Sequence, residues 1–124
     1  MSGAVHAALA GTNGALAEQY AAFVAASQGA LAPELVALIG QAVAAVHGIG
    51  AAPDESALDA ATRTCLAYAR RMPFEHTAIS DAEAAQVIAH LGEAGFVAFS
   101  VVTALADAEC RAGQVGLSAL AGAA

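Results

Sequence analysis

The chain has no lysine and no tryptophan, and its four arginines (Arg63, Arg70, Arg71, Arg111) form no stripe. Set against 11 acidic residues, they leave a formal net charge of −7. Phosphate backbones are held by clustered Lys and Arg, so DNA and RNA are not expected partners. One or two arginines still suffice to grip a carboxylate, so an anionic small molecule stays open. Cysteine is scarce as well: Cys65 and Cys110 stand far apart, as neither a secreted disulfide framework nor a Cys-x-x-Cys redox pair. The first ten residues carry no Lys or Arg, so no signal-peptide n-region is read there. The apolar run Gly95–Ala106, bounded by Glu93 and Asp107, is too short to cross a bilayer, and no membrane role is expected.

What is present points to helices. Alanine, the best helix former, supplies about three residues in ten, and β-branched residues are scattered rather than alternating. At 124 residues a single all-α domain of five to six helices is expected, cytoplasmic in location. Its 59% apolar content is high for so short a chain, which suggests that part of the surface meets other subunits.

Residues 1–11 are weakly patterned, a short helix or a mobile arm. Thr12 or Asn13 can cap a helix with Leu16, Tyr20, Phe23 and Val24 at helical spacing, ending at Gly29. Pro33 opens a second helix at the position where proline is tolerated, and Gly48 and Gly50 stop it. Its apolar residues fall on every side, so it is expected to be buried all round, with Glu34 as its lone acid near a cavity. Asp54 is read as the cap of a third helix carrying an Asp59–Arg63 pair, which Pro73 breaks to leave the loop Phe74–Thr77. Ser80-Asp81-Ala82-Glu83 is a capping box, and Gly92 and Gly95 loosen the helix it starts. A last long helix runs from about Phe96 to Ala112, with Asp107 and Arg111 one turn apart.

No two of His6, His47, His76 and His90 lie at metal-ligand spacing, and His90 with Glu93 gives only two ligands, so neither metal nor cofactor is implied. No glycine-rich loop is followed by Lys and Ser or Thr. Cys65 and Cys110 each sit on the apolar side of a helix, where a free cysteine packs as a small hydrophobe. An acid/base set remains: Glu34, His47, Glu75 and His76. Each also has a plain alternative. Glu34 would be a favourable charge on a helix N-terminus, His47 a C-terminal cap, and Glu75-His76 a solvated connection.

Two segments resemble the carboxymuconolactone decarboxylase and alkylhydroperoxidase D-like superfamily. The first is Pro33-Glu34-Leu35-Val36-Ala37-Leu38 through Ala44-Ala45-Val46-His47-Gly48. It is similar to the helix that leads into the redox motif of the peroxidase branch. The second, from Leu58 to about Leu117, includes Cys65 to Met72, Ile79 to Glu83, Gly95 and Ala104 to Asp107. The resemblance implies an all-α oligomer, a dimer, trimer or hexamer, with Glu34 at the site. In that branch the glutamate is followed by Cys-x-x-Cys and then a histidine. Here those positions hold Val46, Ile49 and Pro53, so a thiol/disulfide peroxidase cycle is not expected. Two readings stand ahead of it. The preferred one is a degenerate member or a homo-oligomer binding a small apolar or carboxylate ligand. The alternative is a cofactor-free acid/base enzyme, of decarboxylase or isomerase type, with Glu34, His47 and His76 as its catalytic candidates.

Overall fold

The computed structural model describes residues 3–122, and side chains through residue 120. Six α-helices pack together, with no strand among the described residues: α1 (Ala4–Thr12), α2 (Gly14–Gly29), α3 (Pro33–Val46), α4 (Ala60–Glu75), α5 (Asp81–Gln114) and α6 (Leu117–Gly122). A 3₁₀ turn, His76–Ala78, separates α4 from α5. Helix α5 is the axis of the molecule and touches all five others.

The helix ends follow local chemistry. Asn13 accepts a hydrogen bond from the Leu16 amide and starts α2, as expected. The chain turns through 114° between α2 and α3. Helix α3 opens on Pro33 and closes in a Schellman motif, the Gly48 and Ile49 amides donating to the Ala45 and Ala44 carbonyls, both at 2.9 Å. Gly48 holds the left-handed conformation (φ 78°) that this closure requires. Both halves of the Ser80/Glu83 capping box are made. The box is tied to α4 by an Arg71–Glu83 ion pair.

Three expectations are corrected. The third helix starts at Ala60 with Asp59 as its cap, while Asp54 instead receives the Ser56 amide in a turn. Arg63 does not pair with Asp59. It donates to the Glu55 and Ser56 carbonyls and, beside an Arg70–Glu55 ion pair, pins down the connection before α4. Pro73 does not end α4, which runs on to Glu75. So close to a helix end its missing N–H forfeits one bond, and burial of the ring offsets part of that loss. The two helices expected after the capping box are both present within α5, meeting at a kink where Gly92 holds a non-helical φ of 76° and ψ of 171°. Only glycine occupies that region readily, so the break sits there and the helix resumes beyond it.

By length and composition alone α5 is apolar enough to cross a bilayer, its best window having a mean hydropathy of 1.6. The kink at Gly92 interrupts that helix, and only part of it is buried against the other helices: Phe99 and Val102 face the core, whereas Val97 is exposed.

The core lies where α3, α4 and α5 meet. Ile39, Val43, Leu66, Val87 and Phe99 are fully buried. Tyr68, Phe96 and Phe99 form an aromatic group beside them, with centroids 5.7 to 6.5 Å apart. Thr103 is buried too, its hydroxyl donating to the Phe99 carbonyl at 2.8 Å. Helix α3 is not buried all round: Ile39, Ala42 and Val43 face the core, whereas Glu34, Ala37 and Gln41 face water. Gly40 lies in the middle of α3, and a Cβ there would meet no atom within 4 Å. Gly40→Ala is therefore expected to stabilise the fold by about 0.5–1 kcal/mol, the helix-propensity difference, in urea denaturation.

Candidate functional site

The expected acid/base residues do not converge. Glu34 is exposed on the first turn of α3, which corrects the expectation that this helix is buried all round, and it does not line the cavity described below. A carboxylate at a solvated helix N-terminus keeps its hydration and meets the favourable end of the dipole. Thirteen residues of helix separate it from His47, about 20 Å at 1.5 Å per residue. Glu75 and His76 are exposed at the end of α4, Glu75 lying 3.7 Å from Arg71. Of the set, only His47 is enclosed, its side chain 2% exposed.

His47 belongs to a polar node at the C-terminal ends of two helices. Its Nε2 donates to Asp107 Oδ1 at 2.6 Å, which fixes the tautomer because an ionised carboxylate can only accept. Asp107 also accepts from Arg111 Nε at 3.0 and 3.1 Å, so the pair foreseen on this helix does form. Arg111 then donates to the Pro73 carbonyl at 2.6 Å, and Gln114 to the His47 carbonyl at 2.8 Å. Helix C-termini leave carbonyls without internal partners, and α5 side chains supply donors to one on α4 and one on α3. Phe74 covers the node, 4.9 Å from the His47 ring and 5.0 Å below the Arg111 guanidinium. The geometry is that of a clasp joining three helices.

A cavity of about 420 Å³ lies on the other side of α5, among α1, α2 and α3. Its wall is mostly apolar: Ala21 and Val24 from α2, Val36 from α3, and Val102, Leu105 and Ala106 from α5. Its polar lining residues are His6, Tyr20, Gln28 and Glu109, of which Tyr20 and Glu109 are joined directly. Glu109 Oε2 accepts the Tyr20 hydroxyl at 2.5 Å, and Oε1 accepts the Val5 amide at 3.1 Å. The second bond satisfies a free N–H in the first turn of α1, and the carboxylate suits that end of the dipole. Burial, and then Glu109 beside it, push the Tyr20 phenol above its usual range, so it stays protonated and donates. A Cβ on Gly3 would fall 2.2 Å from Glu109 Oε1, so the chain passes as close to the carboxylate as glycine allows.

Cys110 also lines this cavity. Burial raises its thiol pKa, with Asp107 and Glu109 adding to the effect. Burial, followed by Asp59, does the same for Cys65. Both thiols are thus protonated at neutral pH and poor nucleophiles, and the two cysteines are not near each other. No group of three or more His, Cys, Asp or Glu among the described residues is arranged to hold a metal ion.

Sequence reasoning missed His6, Tyr20 and Glu109 as a group. Tyr20 read as an apolar helix position, and His6 fell in a weakly patterned segment. The one available signal was Glu109, an acid set beside Leu105, Ala106 and Cys110 on a helix whose apolar side was already assigned. Comparison with known protein families, curated proteins and solved structures finds no match to this chain.

Proposed function

We propose that this protein binds a small, mainly apolar molecule in the cavity between α1, α2, α3 and α5, as a self-associating, divergent chain of alkylhydroperoxidase D-like character without redox chemistry. One observation carries the reading: a cavity of about 420 Å³ with a mostly apolar wall and the hydrogen-bonded Tyr20–Glu109 pair in its lining. That volume lies within the usual range for ligand sites and equals about fourteen waters at ~30 Å³ each. Self-association is supported by large apolar side chains left exposed on the single chain, among them Phe23 at 53% and Val97 at 62%. The all-helical fold is compatible with the family part of the proposal, and the separation of the two cysteines supports the absence of redox chemistry.

The experiment is a titration with 1-octanol, followed by amide NMR shifts. Wild-type protein is expected to bind with a dissociation constant on the order of 0.1–1 mM, from about nine non-hydrogen atoms at ~0.5 kcal/mol each. The shifts should centre on Val24, Gly40, Val102 and Leu105. Gly40→Leu, which projects a side chain into the open space beside Gly40, is expected to abolish binding, and both proteins should sediment above monomer mass. Equal binding by the two proteins, or none by the wild type, overturns the reading.

An acid/base enzyme built on His47 has the His47–Asp107 bond in its favour. Against it stand the enclosure of the ring, 2% exposed, and its separation from Glu34, the other acid/base candidate on that helix.

A further inference from the structure

We infer that the cavity selects a cationic amphiphile, an aliphatic amine whose nitrogen docks on Glu109 while its hydrocarbon body fills the apolar channel; the inference rests on the ligand-binding reading above. The charge pattern around the cavity carries it. Glu109 is the only acidic side chain in the lining, which contains no arginine, and the chain has no lysine. Every arginine is engaged elsewhere: Arg63 on the Glu55 and Ser56 carbonyls, Arg70 on Glu55, Arg71 on Glu83, and Arg111 on Asp107 and Pro73. An anionic headgroup meeting Glu109 would face a carboxylate of its own sign, with no arginine or lysine in the lining to offset it and only the His6 ring and the Gln28 amide as other side-chain nitrogen groups. That weighs against the carboxylate ligand left open by composition alone.

Glu109 also retains capacity. An ionised carboxylate offers about four acceptor sites, and the Val5 amide and the Tyr20 hydroxyl occupy two. Those two bonds hold the carboxylate in place, so a ligand ammonium meets an acceptor already oriented for it. A carboxylate in a largely apolar wall is incompletely hydrated, and an ammonium restores the lost interaction with a charge-assisted hydrogen bond. The overall charge of −7 raises the local concentration of cations, not of anions. An alkyl chain fits the remaining wall, since Ala21, Val24, Val36, Val102, Leu105 and Ala106 offer no side-chain hydrogen-bonding group.

The test compares three probes of equal chain length, octylamine, 1-octanol and octanoate, below their aggregation limits at neutral pH and about 0.1 M salt. Octylamine is expected to bind wild-type protein at least tenfold more tightly than octanoate, with octanol between them. Glu109→Gln, which keeps the size and one acceptor oxygen, should weaken octylamine about tenfold and octanol less than threefold. Raising the salt concentration should weaken octylamine alone. Should Glu109→Gln fail to fold, the wild-type ranking of the three probes still decides the question. Equal affinity for all three, or octylamine binding unchanged by Glu109→Gln, overturns the charge selection and leaves the cavity as an unselective apolar site. Failure of all three to bind overturns the ligand-binding reading itself.

Discussion

Asp107→Ala is expected to lower stability by about 3 kcal/mol and the melting temperature by roughly 10 °C. The estimate starts from what the carboxylate holds. It accepts His47 Nε2 and Arg111 Nε, and through Arg111 it orients the donor that reaches the Pro73 carbonyl. Without it, the His47 ring, 2% exposed, is left with no acceptor for its N–H and little access to water. Removing one partner from a buried pair costs about 3–5 kcal/mol. Asp107 is itself 22% exposed, which places the loss at the lower end. Asp107→Asn keeps an acceptor oxygen and loses only the charge, so it should cost about 1–1.5 kcal/mol. Urea denaturation followed by circular dichroism measures both. An Asp107→Ala variant within about 0.5 kcal/mol of wild type would show that α3, α4 and α5 are held by packing alone.

A larger loss, about 4 kcal/mol, is expected for Phe99→Ala. The ring is fully buried where α4 packs on α5, against Tyr68 and Phe96. Truncation removes the transfer free energy of the ring and leaves a void that these two aromatic neighbours cannot close without leaving their tilted arrangement. Phe99→Leu fills most of that void and should cost about 1–1.5 kcal/mol. At roughly 0.05–0.15 kcal/mol per residue, a chain of this length has limited stability in reserve, so the alanine variant loses a large share of it. The midpoint should fall with little change in denaturant slope, because the surface exposed on unfolding is nearly the same. A Phe99→Ala loss below about 2 kcal/mol would show that the helices slide to refill the space.

Helices were legible wherever a short-range signal marked them. Asn13, Pro33, Gly48 and the Ser80/Glu83 box each act through hydrogen bonds or dihedral preferences within a few residues, and each lies at an end of a helix in the structure. The signals misread were those whose meaning depends on what lies across the fold. Asp54 and Asp59 are equally good caps in isolation, and the pinning of the intervening loop by Arg63 and Arg70 settles which one acts. Pro73 stops most helices, yet here its carbonyl meets Arg111 from 38 residues away. Around α3, residues on every side are apolar, but its exposed positions hold Pro33, Glu34, Ala37 and Gln41, which cost little in water, while the bulkier Ile39 and Val43 face the core. The site was harder still. Glu34 drew attention by being alone among apolar residues in sequence. The carboxylate that is enclosed, Glu109, has partners at Val5 and Tyr20, and no pattern local to α5 joins those three positions.

One carboxylate fastens the leading helix to the body of the protein and faces the space a guest would occupy. Docking of that helix and filling of the space are therefore a single linked equilibrium, in which each changes the other by the same factor. A guest that reinforces the Glu109 arrangement would tighten the first dozen residues against α5, and one that draws the carboxylate away would set them loose. Occupancy would then be visible from outside the protein, as a change in how firmly its N-terminal segment is held.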